Sequence, residues 1–478
     1  MNRLKYRWIA GWLCTLAWPS PTIASEADPP NLPEKPNVVV IFCDDLGWGD
    51  LGCYGHPTIA TPNLNAMARQ GTRMTQFYVA ASVCTPSRAA LLTGRYPVRT
   101  GLCGESRVFF PNATGGMPAS ELTVAEVVKQ AGYATAMAGK WHLGDADEYL
   151  PTQHGFDSYF GIPYSNDMEK RMSPSMRGMI GFRNPKWRHF HVPLLQSTTG
   201  HPPEQLERPV DQRTITRRYT HKAIDFIRQQ KDSPFFLYLA HTMPHVPLFR
   251  HDAFADHSRA GLYGDVIEEI DWSVGEILRE LRRLELDEKT LVLFTSDNGP
   301  WLVFQEQSGS AGPLRDGTGT RFEGGMRGPA IFWMPGVIPA GVVSAQLSST
   351  LDLLPTVAKL SNVALPEDLV LDGHDLTAML TQQRPSPRET LFYYRDTRLM
   401  AIRHGRYKAH YITQLSYRKN ELLTDHDPPL IYDLEIDLAE GRDLASKRPD
   451  LVEQFAEIKA EHQRTMVIAK SLVDLDRK

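Results

Sequence analysis

The chain has 478 residues, with 52 Lys and Arg against 56 Asp and Glu and a formal net charge of −4. That near balance excludes the strongly basic footprint of a dedicated nucleic-acid binder, and 42% hydrophobic with 23% charged residues is too apolar a mixture for a disordered chain. Five cysteines are too few for a disulfide scaffold, so the length predicts two or three domains, or one large and one small, built on apolar cores.

Arg3, Lys5 and Arg7 precede an apolar run from Trp8 to Trp18, and Thr22-Ile23-Ala24 supplies small residues near a cleavage point. This is the pattern of a secretory signal peptide over 1–24. The run falls short of the ~20 residues a spanning helix needs, so stable membrane insertion is not expected. Export to a periplasmic or extracellular space follows. The short, tryptophan-rich leader and the solitary sequon Asn112-Ala113-Thr114 favour a bacterial origin. A Pro-rich tether over 25–36 leads into the fold.

From Asn37 to Cys43 an unbroken β-branched run reads as a strand buried on both faces, typical of a parallel sheet. Thr61-Pro62 opens a helix with Leu64, Met67 and Ala68 on one face and Gly71 past its end. Thr123 and Glu126 make a capping box for a helix closed by Gly132, and Tyr133 to Ala138 is a short strand. Helical spacing from Tyr219 to Ile227 precedes a strand at Phe235 to Ala240. Val266, Ile270, Val274, Ile277 and Leu281 stripe a helix near Asp265 to Leu284, followed by strands at Leu291 to Ser296 and Ala330 to Met334. Strands alternating with helices over 37–385 predict an α/β unit with a mostly parallel sheet flanked by helices. Beyond Ser386 the rhythm changes to short strands at Leu391–Arg395, Leu399–Arg403, Arg406–Tyr411 and Leu430–Leu434, closed by a helix from Pro449 to about Lys470. That pattern predicts a smaller C-terminal α+β unit, 386–478, of antiparallel strands and a helix.

Ligands of open α/β sheets bind outside the carboxyl ends of the strands, and three predicted strands end in reactive groups. One ends in Asp44-Asp45, one in His241 with His245, and one in Asp297-Asn298. Pro244 and Pro247 make a helical zinc pair of the two histidines untenable. Asp44, Asp45, Asp297 and Asn298 form an all-oxygen anionic set suited to Ca²⁺, or less well Mg²⁺. Cys84-Thr85-Pro86-Ser87-Arg88 places Cys84 just before a helix that ends at Gly94, where free N–H groups and the helix dipole favour an anion.

Cys-x-Pro-Ser-Arg resembles the signature of the type I sulfatases, in which the cysteine becomes formylglycine (3-oxoalanine) by the action of a formylglycine-generating enzyme. Four further blocks are similar to that family: Asp44-Asp45-Leu46-Gly47-Trp48-Gly49-Asp50, Gly139-Lys140-Trp141-His142-Leu143-Gly144, Thr295-Ser296-Asp297-Asn298-Gly299 and Phe322-Glu323-Gly324-Gly325-Met326-Arg327. Gly161-Ile162-Pro163-Tyr164-Ser165 looks like a segment of its arylsulfatase A and N-acetylgalactosamine-6-sulfatase members. The resemblance implies the alkaline-phosphatase-like fold, with Ca²⁺ on Asp44, Asp45, Asp297, Asn298 and the modified Cys84. A hydrated aldehyde carries two hydroxyls, one to attack sulfur with help from the metal and Asp297, the other to eject sulfate. By the same resemblance Arg88 and Lys140 support the anionic charge, and His142 is the base for the elimination. His245 faces the sulfate and protonates the leaving oxygen, and Ser165 helps to hold the substrate.

The family usually has Gly-Lys-Gly-Thr where this chain has Gly317-Thr318-Gly319-Thr320-Arg321. Thr318 then removes a cation from the sulfate site, which leaves protonation to His245 and brings Arg321 or Arg315 into consideration for the sulfate. It also keeps open a silent sulfated-glycan binder, beside a phosphoester or phosphonate hydrolase of the same superfamily. Between Lys170 and His191, six basic residues (Lys170, Arg171, Arg177, Arg183, Lys186, Arg188) stand among Phe182, Trp187 and Phe190 with no acid, the composition of a rim that grips a sulfated glycan. Once Cys14 is cleaved off and Cys84 converted, Cys43, Cys53 and Cys103 remain, of which Cys53 and Cys103 are the expected pair if one forms.

Overall fold

The computed structural model describes residues 32–169, 190–415 and 423–476. In chain order these form β1 (Asn37–Cys43), α1 (Pro62–Gln70), β2 (Thr72–Tyr78), α2 (Cys84–Thr93), α3 (Pro97–Thr100), α4 (Val124–Gln130), β3 (Ala134–Lys140), β4 (Ser158–Ile162), β5 (Leu194–Thr198) and β6 (Glu204–Glu207). There follow α5 (Ile215–Gln229), β7 (Phe235–Ala240), α6 (Gly261–Arg283), β8 (Thr290–Ser296), α7 (Glu323–Met326), β9 (Arg327–Trp333), β10 (Val342–Ser344), β11 (Ser348–Ser349), α8 (Leu353–Leu360) and α9 (Thr377–Gln382). The C-terminal part is β12 (Thr390–Arg395), β13 (Arg398–His404), β14 (Tyr407–Gln414), β15 (Leu423–Asp433) and α10 (Pro449–Thr465).

The first eleven strands make one mixed sheet in the order β10-β2-β9-β8-β1-β7-β3-β4-β5-β6, with β11 beside β2. Its centre, β8-β1-β7-β3-β4, is parallel throughout. In β1, successive side chains leave on opposite faces as the pleat requires: Val39, Ile41 and Cys43 enter the core under α1, α5 and α6, and Val38, Val40 and Phe42 the core under α2, α4 and α8. Both faces are covered, which is why the run carries no polar residue after Asn37. The expected α/β architecture is thus present, and so is the second, four-stranded antiparallel sheet β12-β13-β14-β15. The second sheet packs Tyr394, Leu399 and Ile402 with Phe455 of α10 against Tyr96, Val98 and Leu351 of the larger unit.

β4, β5, β6, β10, β11, α3, α8 and α9 have no counterpart among the elements expected from sequence, and β15 begins at Leu423 instead of Leu430; three further departures have a clear local origin. β2 was hidden by its composition, since Thr72, Arg73, Thr75 and Gln76 interrupt the apolar run of a strand near the sheet margin, antiparallel to β9. β3 continues two residues past Ala138 to Lys140. Gly139 makes this possible: its φ is +124°, and a Cβ there would lie 1.7 Å from the Ala240 carbonyl of β7. The last helix ends at Thr465, after which the chain returns to the larger unit, with Ala469 N–H donating to Val98 O and Leu472 N–H to Gly101 O.

The Cys53–Cys103 pairing is not present: Cys43, Cys53, Cys84 and Cys103 are all free thiols. Cys53 packs against the core under α1 and α6, whereas Cys103 belongs to the core under the second sheet, so parity of counts misled where position decides. The 1–24 leader, most of the 25–36 tether and residues 170–189 of the basic segment lie outside the described residues. None of the described helices is long and apolar enough to cross a membrane.

Candidate active site

Because the five central strands are parallel, their carboxyl ends open on one edge of the sheet. β1 delivers Asp44 and Asp45 there, β8 Asp297 and Asn298, and β7 the loop with His241 and His245. β3 ends on Lys140 and continues to His142, and β4 leads to Ser165. α2 brings in Cys84 as its first residue, with Val83 as an extended N-cap, rather than just ahead of the helix. All ten residues of α2 are buried, and Gly94 closes it in the left-handed conformation.

Ligand atoms of Asp44, Asp45 and Asp297 all lie within 4.8 Å of one another, and so do those of Asp44, Cys84 and His245. Cys84 Sγ is 3.5 Å from Asp44 Oδ1. Lys140 Nζ reaches Asp44 Oδ2 at 2.5 Å and Ser165 Oγ at 3.2 Å. Arg88 Nη2 donates to Asp297 Oδ2 at 2.8 Å and stands 3.3 Å from Asp44 Oδ2, while its Nη1 donates to the Lys140 carbonyl at 3.0 Å. Three carboxylates therefore face two fixed cations in a fully buried space. Burial by itself would raise Asp44, but Lys140, His245 and Arg88 hold it well below the usual carboxylate range. Burial, and then Asp44, push Asp297 well above it. Burial and the neighbouring Asp44 also raise the Cys84 thiol.

The donor set fits a hard cation. Asn298 Nδ2 donates to Asp45 Oδ1 at 2.5 Å and to Thr318 Oγ1 at 3.1 Å, which turns the amide oxygen the other way. Asn298 Oδ1 and Asp45 Oδ2 are buried without a hydrogen-bond partner. Buried oxygens left unsatisfied beside two further carboxylates are costly unless a cation completes them. Asp45 sits in a left-handed turn, φ 61°, that brings its N–H to Asp297 Oδ1 at 3.1 Å.

His142 and His245 are each held by one nitrogen. His142 Nε2 is 3.0 Å from the Phe109 carbonyl, which can only accept, so Nε2 carries the proton and Nδ1 is left as the basic nitrogen. Burial and the charges of Lys140 and Arg88 keep this ring neutral, its pKa well below the usual value. His245 Nδ1 faces the Val246 carbonyl at 2.5 Å and Asn166 Oδ1 at 3.1 Å, and Asn166 Nδ2 is in turn fixed on the Pro247 carbonyl at 3.1 Å. Nε2 of His245 is therefore the free position, 3.7 Å from Asp45 Oδ2. His241 turns away and bonds Ser273 of α6 through Nε2 at 3.2 Å.

Asp44, Asp45, Cys84, Arg88, Lys140, His142, Ser165, His245, Asp297 and Asn298 thus converge. Arg321 is held elsewhere, with Nε on the Tyr394 carbonyl and Nη1 on that of Gly319, and Arg315 Nη1 donates to the Glu440 carbonyl. Thr318 directs its hydroxyl to Asp45 Oδ1, at 3.2 Å, and to the Gly299 carbonyl. Phe109 and Asn166 were missed by sequence reasoning. The backbone role of Phe109 has no side-chain signature, but Asn166 could have been found as the polar neighbour of Ser165 past a strand end.

A parallel α/β sheet with buried carboxylates, a helix-borne cysteine and two oriented histidines at its carboxyl edge defines a hydrolase site for an anionic ester. Residues 36–363 match the sulfatase family model, and residues 386–477 match the C-terminal region of aryl-sulfatase. The chain is 42% identical over 456 residues to arylsulfatase A of Homo sapiens, covering 88% of this chain and 87% of that protein. It is 43% identical over 395 residues to the N-acetylgalactosamine-6-sulfatase of Sus scrofa, covering 80% of this chain and 72% of that one. Among solved structures it is similar to the PsFucS1 sulfatase from Pseudoalteromonas sp., with a TM-score of 0.83 at 30% identity over 90% of each chain. It also resembles Ps i-CgsB in complex with k-i-k-neocarrahexaose, with a TM-score of 0.73 at 26% identity over 93% of this chain and 98% of that one. The chain belongs to the sulfatase family and is a sulfuric ester hydrolase.

Proposed function

We propose that this protein hydrolyses a carbohydrate sulfate, using an aldehyde made from Cys84 by a formylglycine-generating enzyme and a Ca²⁺ held by Asp44, Asp45, Asp297 and Asn298. The observation that carries the reading is the set of three buried carboxylates within 4.8 Å, next to Cys84 and two unsatisfied oxygens. The sugar preference draws on the N-acetylgalactosamine-6-sulfatase relative and on the neocarrahexaose-bound one. When bound, the cation offsets the charge of the sulfate and lowers the pKa of an oxygen on it. The aldehyde, as its hydrate, supplies an oxygen nucleophile that a thiol does not.

The chain's own residues do the rest. Lys140 and Arg88, locked on Asp44 and Asp297, set a positive field around the sulfate without needing to move. Ser165 Oγ, tied to Lys140 Nζ, is placed to bond a sulfate oxygen. His245, whose Nδ1–H is given to the Val246 carbonyl and Asn166 Oδ1, turns Nε2 to the leaving alcohol and protonates it from the imidazolium form, in which both ring nitrogens carry protons, while His142 takes a proton at Nδ1. Residues 37–385 form the catalytic unit and 386–478 the C-terminal unit, exported by the 1–24 leader to a periplasmic or extracellular space.

Parallel assays on 4-nitrophenyl sulfate and 4-nitrophenyl phosphate, with calcium and with chelator, test this reading. Calcium-dependent turnover of the sulfate at the higher kcat/KM is expected. Preference for the phosphate indicates a phosphoester hydrolase, and tight binding of a sulfated glycan without turnover of either ester indicates a silent binder; each overturns it.

A further inference from the structure

Beyond Asn298 the chain turns back over the site it has just built. The Trp301 ring lies 5.4 Å from that of His245, centroid to centroid, with the planes tilted 53°. Phe304 meets Trp301 edge to face at 4.7 Å. Leu302 and Val303, between them, are 37% and 38% exposed. A Cβ on Gly317 would stand 3.1 Å from Leu302 Cγ, so this loop closes on the turn that carries Thr318, whose hydroxyl touches Asp45. An apolar step of two aromatic rings and two aliphatic side chains therefore stands beside the histidine that carries the free Nε2, with Thr318 at its foot.

The sulfate end of a substrate is met by Lys140, Arg88 and Ser165, all charged or polar. The alcohol end must leave past His245, and it meets Trp301 there. An exposed aliphatic pair alone would need no explanation. Its placement against a catalytic imidazole, backed by a Trp–Phe pair, matches what a ring with a flat C–H face requires: dispersion contact with an aromatic plane and exclusion of water from the breaking bond. We propose that Trp301, Leu302 and Phe304 form the subsite for the alcohol half of the ester, which takes a pyranose through its apolar face and sets the ester oxygen beside His245. This subsite rests on the sulfate-ester reading above for what lies next to it, but its occupant is recognised by ring shape and not by charge.

The test compares Trp301→Ala and Trp301→Phe with the native enzyme on a methyl pyranoside 6-sulfate and on 4-nitrophenyl sulfate, with inorganic sulfate as inhibitor. The expected result for Trp301→Ala is a rise in KM of about three- to tenfold on the pyranoside, the range of one lost aromatic contact. On that account kcat stays close to native, Trp301→Phe recovers most of the loss, and the inhibition constant of sulfate does not change. A larger effect on the aryl ester than on the pyranoside would overturn the sugar assignment. An unchanged KM on both overturns the subsite, and so does a parallel rise in the sulfate inhibition constant, which would assign Trp301 to holding His245 and the sulfate end. Calorimetry in a Cys84→Ala background keeps the two readings apart: loss of pyranoside sulfate binding on Trp301→Ala supports the subsite even if the native protein turns over no sulfate ester.

Discussion

Two of the buried charge clusters among the described residues differ in one respect. Where the two sheets meet, Glu323 Oε1 pairs with Lys408 at 2.9 Å, and its Oε2 with the Tyr78 hydroxyl at 2.5 Å and Arg327 at 3.3 Å. Glu440 Oε1 forms an ion pair with Lys408 at 3.1 Å and accepts from His410 at 2.7 Å, and its Oε2 accepts from the Glu323 N–H at 2.6 Å. Every carboxylate oxygen there has a protein partner. At the strand ends, Arg88 and Lys140 pair with Asp44 and Asp297, while Asp45 Oδ2 and Asn298 Oδ1 accept no hydrogen bond, the first standing 3.7 Å from His245 Nε2. Buried charge that is fully paired holds units together, whereas buried charge left incomplete is a place for a ligand. The paired cluster also serves the other one indirectly, since Glu323 anchors the segment whose Gly325 carbonyl accepts from Gly299 N–H, next to Asn298.

The largest effect expected from this contrast is on stability at the paired cluster. Lys408→Met strands Glu323 and Glu440 without their shared cation, and a loss of roughly 3–5 kcal/mol is expected in denaturant unfolding. Turnover per folded molecule should fall far less than stability does; if activity collapses while the unfolding midpoint holds, the division of labour is wrong. Asp45→Asn should do the reverse. It removes one of three like charges, so the calcium-free protein should unfold no earlier than native, yet turnover should drop roughly hundred- to thousandfold. Native protein should gain about 2.7 kcal/mol from calcium at a hundred times its dissociation constant, a gain that Asp45→Asn loses and Lys408→Met keeps.

A pH series sharpens the contrast further. Burial would raise Glu323, but Lys408, Arg327 and Arg403 outweigh it and hold the group at about 2 against 4.5 for a free glutamate. A depressed folded-state pKa stabilises above the unfolded value, and that contribution is lost as pH falls from about 4.5 toward 2. Urea midpoints should therefore fall across that window more steeply for native protein than for Glu323→Gln; parallel curves would show that the pairing contributes nothing. The smallest effect belongs to a pair outside both clusters. Lys129 and Asp157 lie 2.6 Å apart with side chains 40% and 42% exposed, and Lys129→Ala should shift stability by less than about 1 kcal/mol.

How much of this was legible in sequence follows from how local each signal is. Val38–Phe42 and Leu291–Phe294 announce central strands because a run buried on both faces is apolar without alternation, and a charged residue shortly after it then stands out. That logic reaches Asp44, Asp45, Asp297 and Asn298, while the helix-start chemistry around Pro86 reaches Cys84. It does not reach the Phe109 carbonyl or the Glu323–Lys408–Glu440 cluster, since both depend on segments far apart in sequence meeting in space. Trp301 reads as loop until its ring is found on His245. Arg321 looked available from its spacing, but the second sheet offers it the Tyr394 carbonyl. Cys53 and Cys103 failed as a pair for the same reason, because no count tells which core each thiol enters.

The central claim is that the incomplete cluster exists to serve a modified Cys84. Mass spectrometry of the peptide spanning Cys84, taken from active protein and paired with its specific activity, tests this directly. The account predicts an aldehyde in place of the thiol, in a fraction that tracks the activity from one preparation to the next. A fully active preparation with Cys84 entirely as unmodified thiol would contradict it.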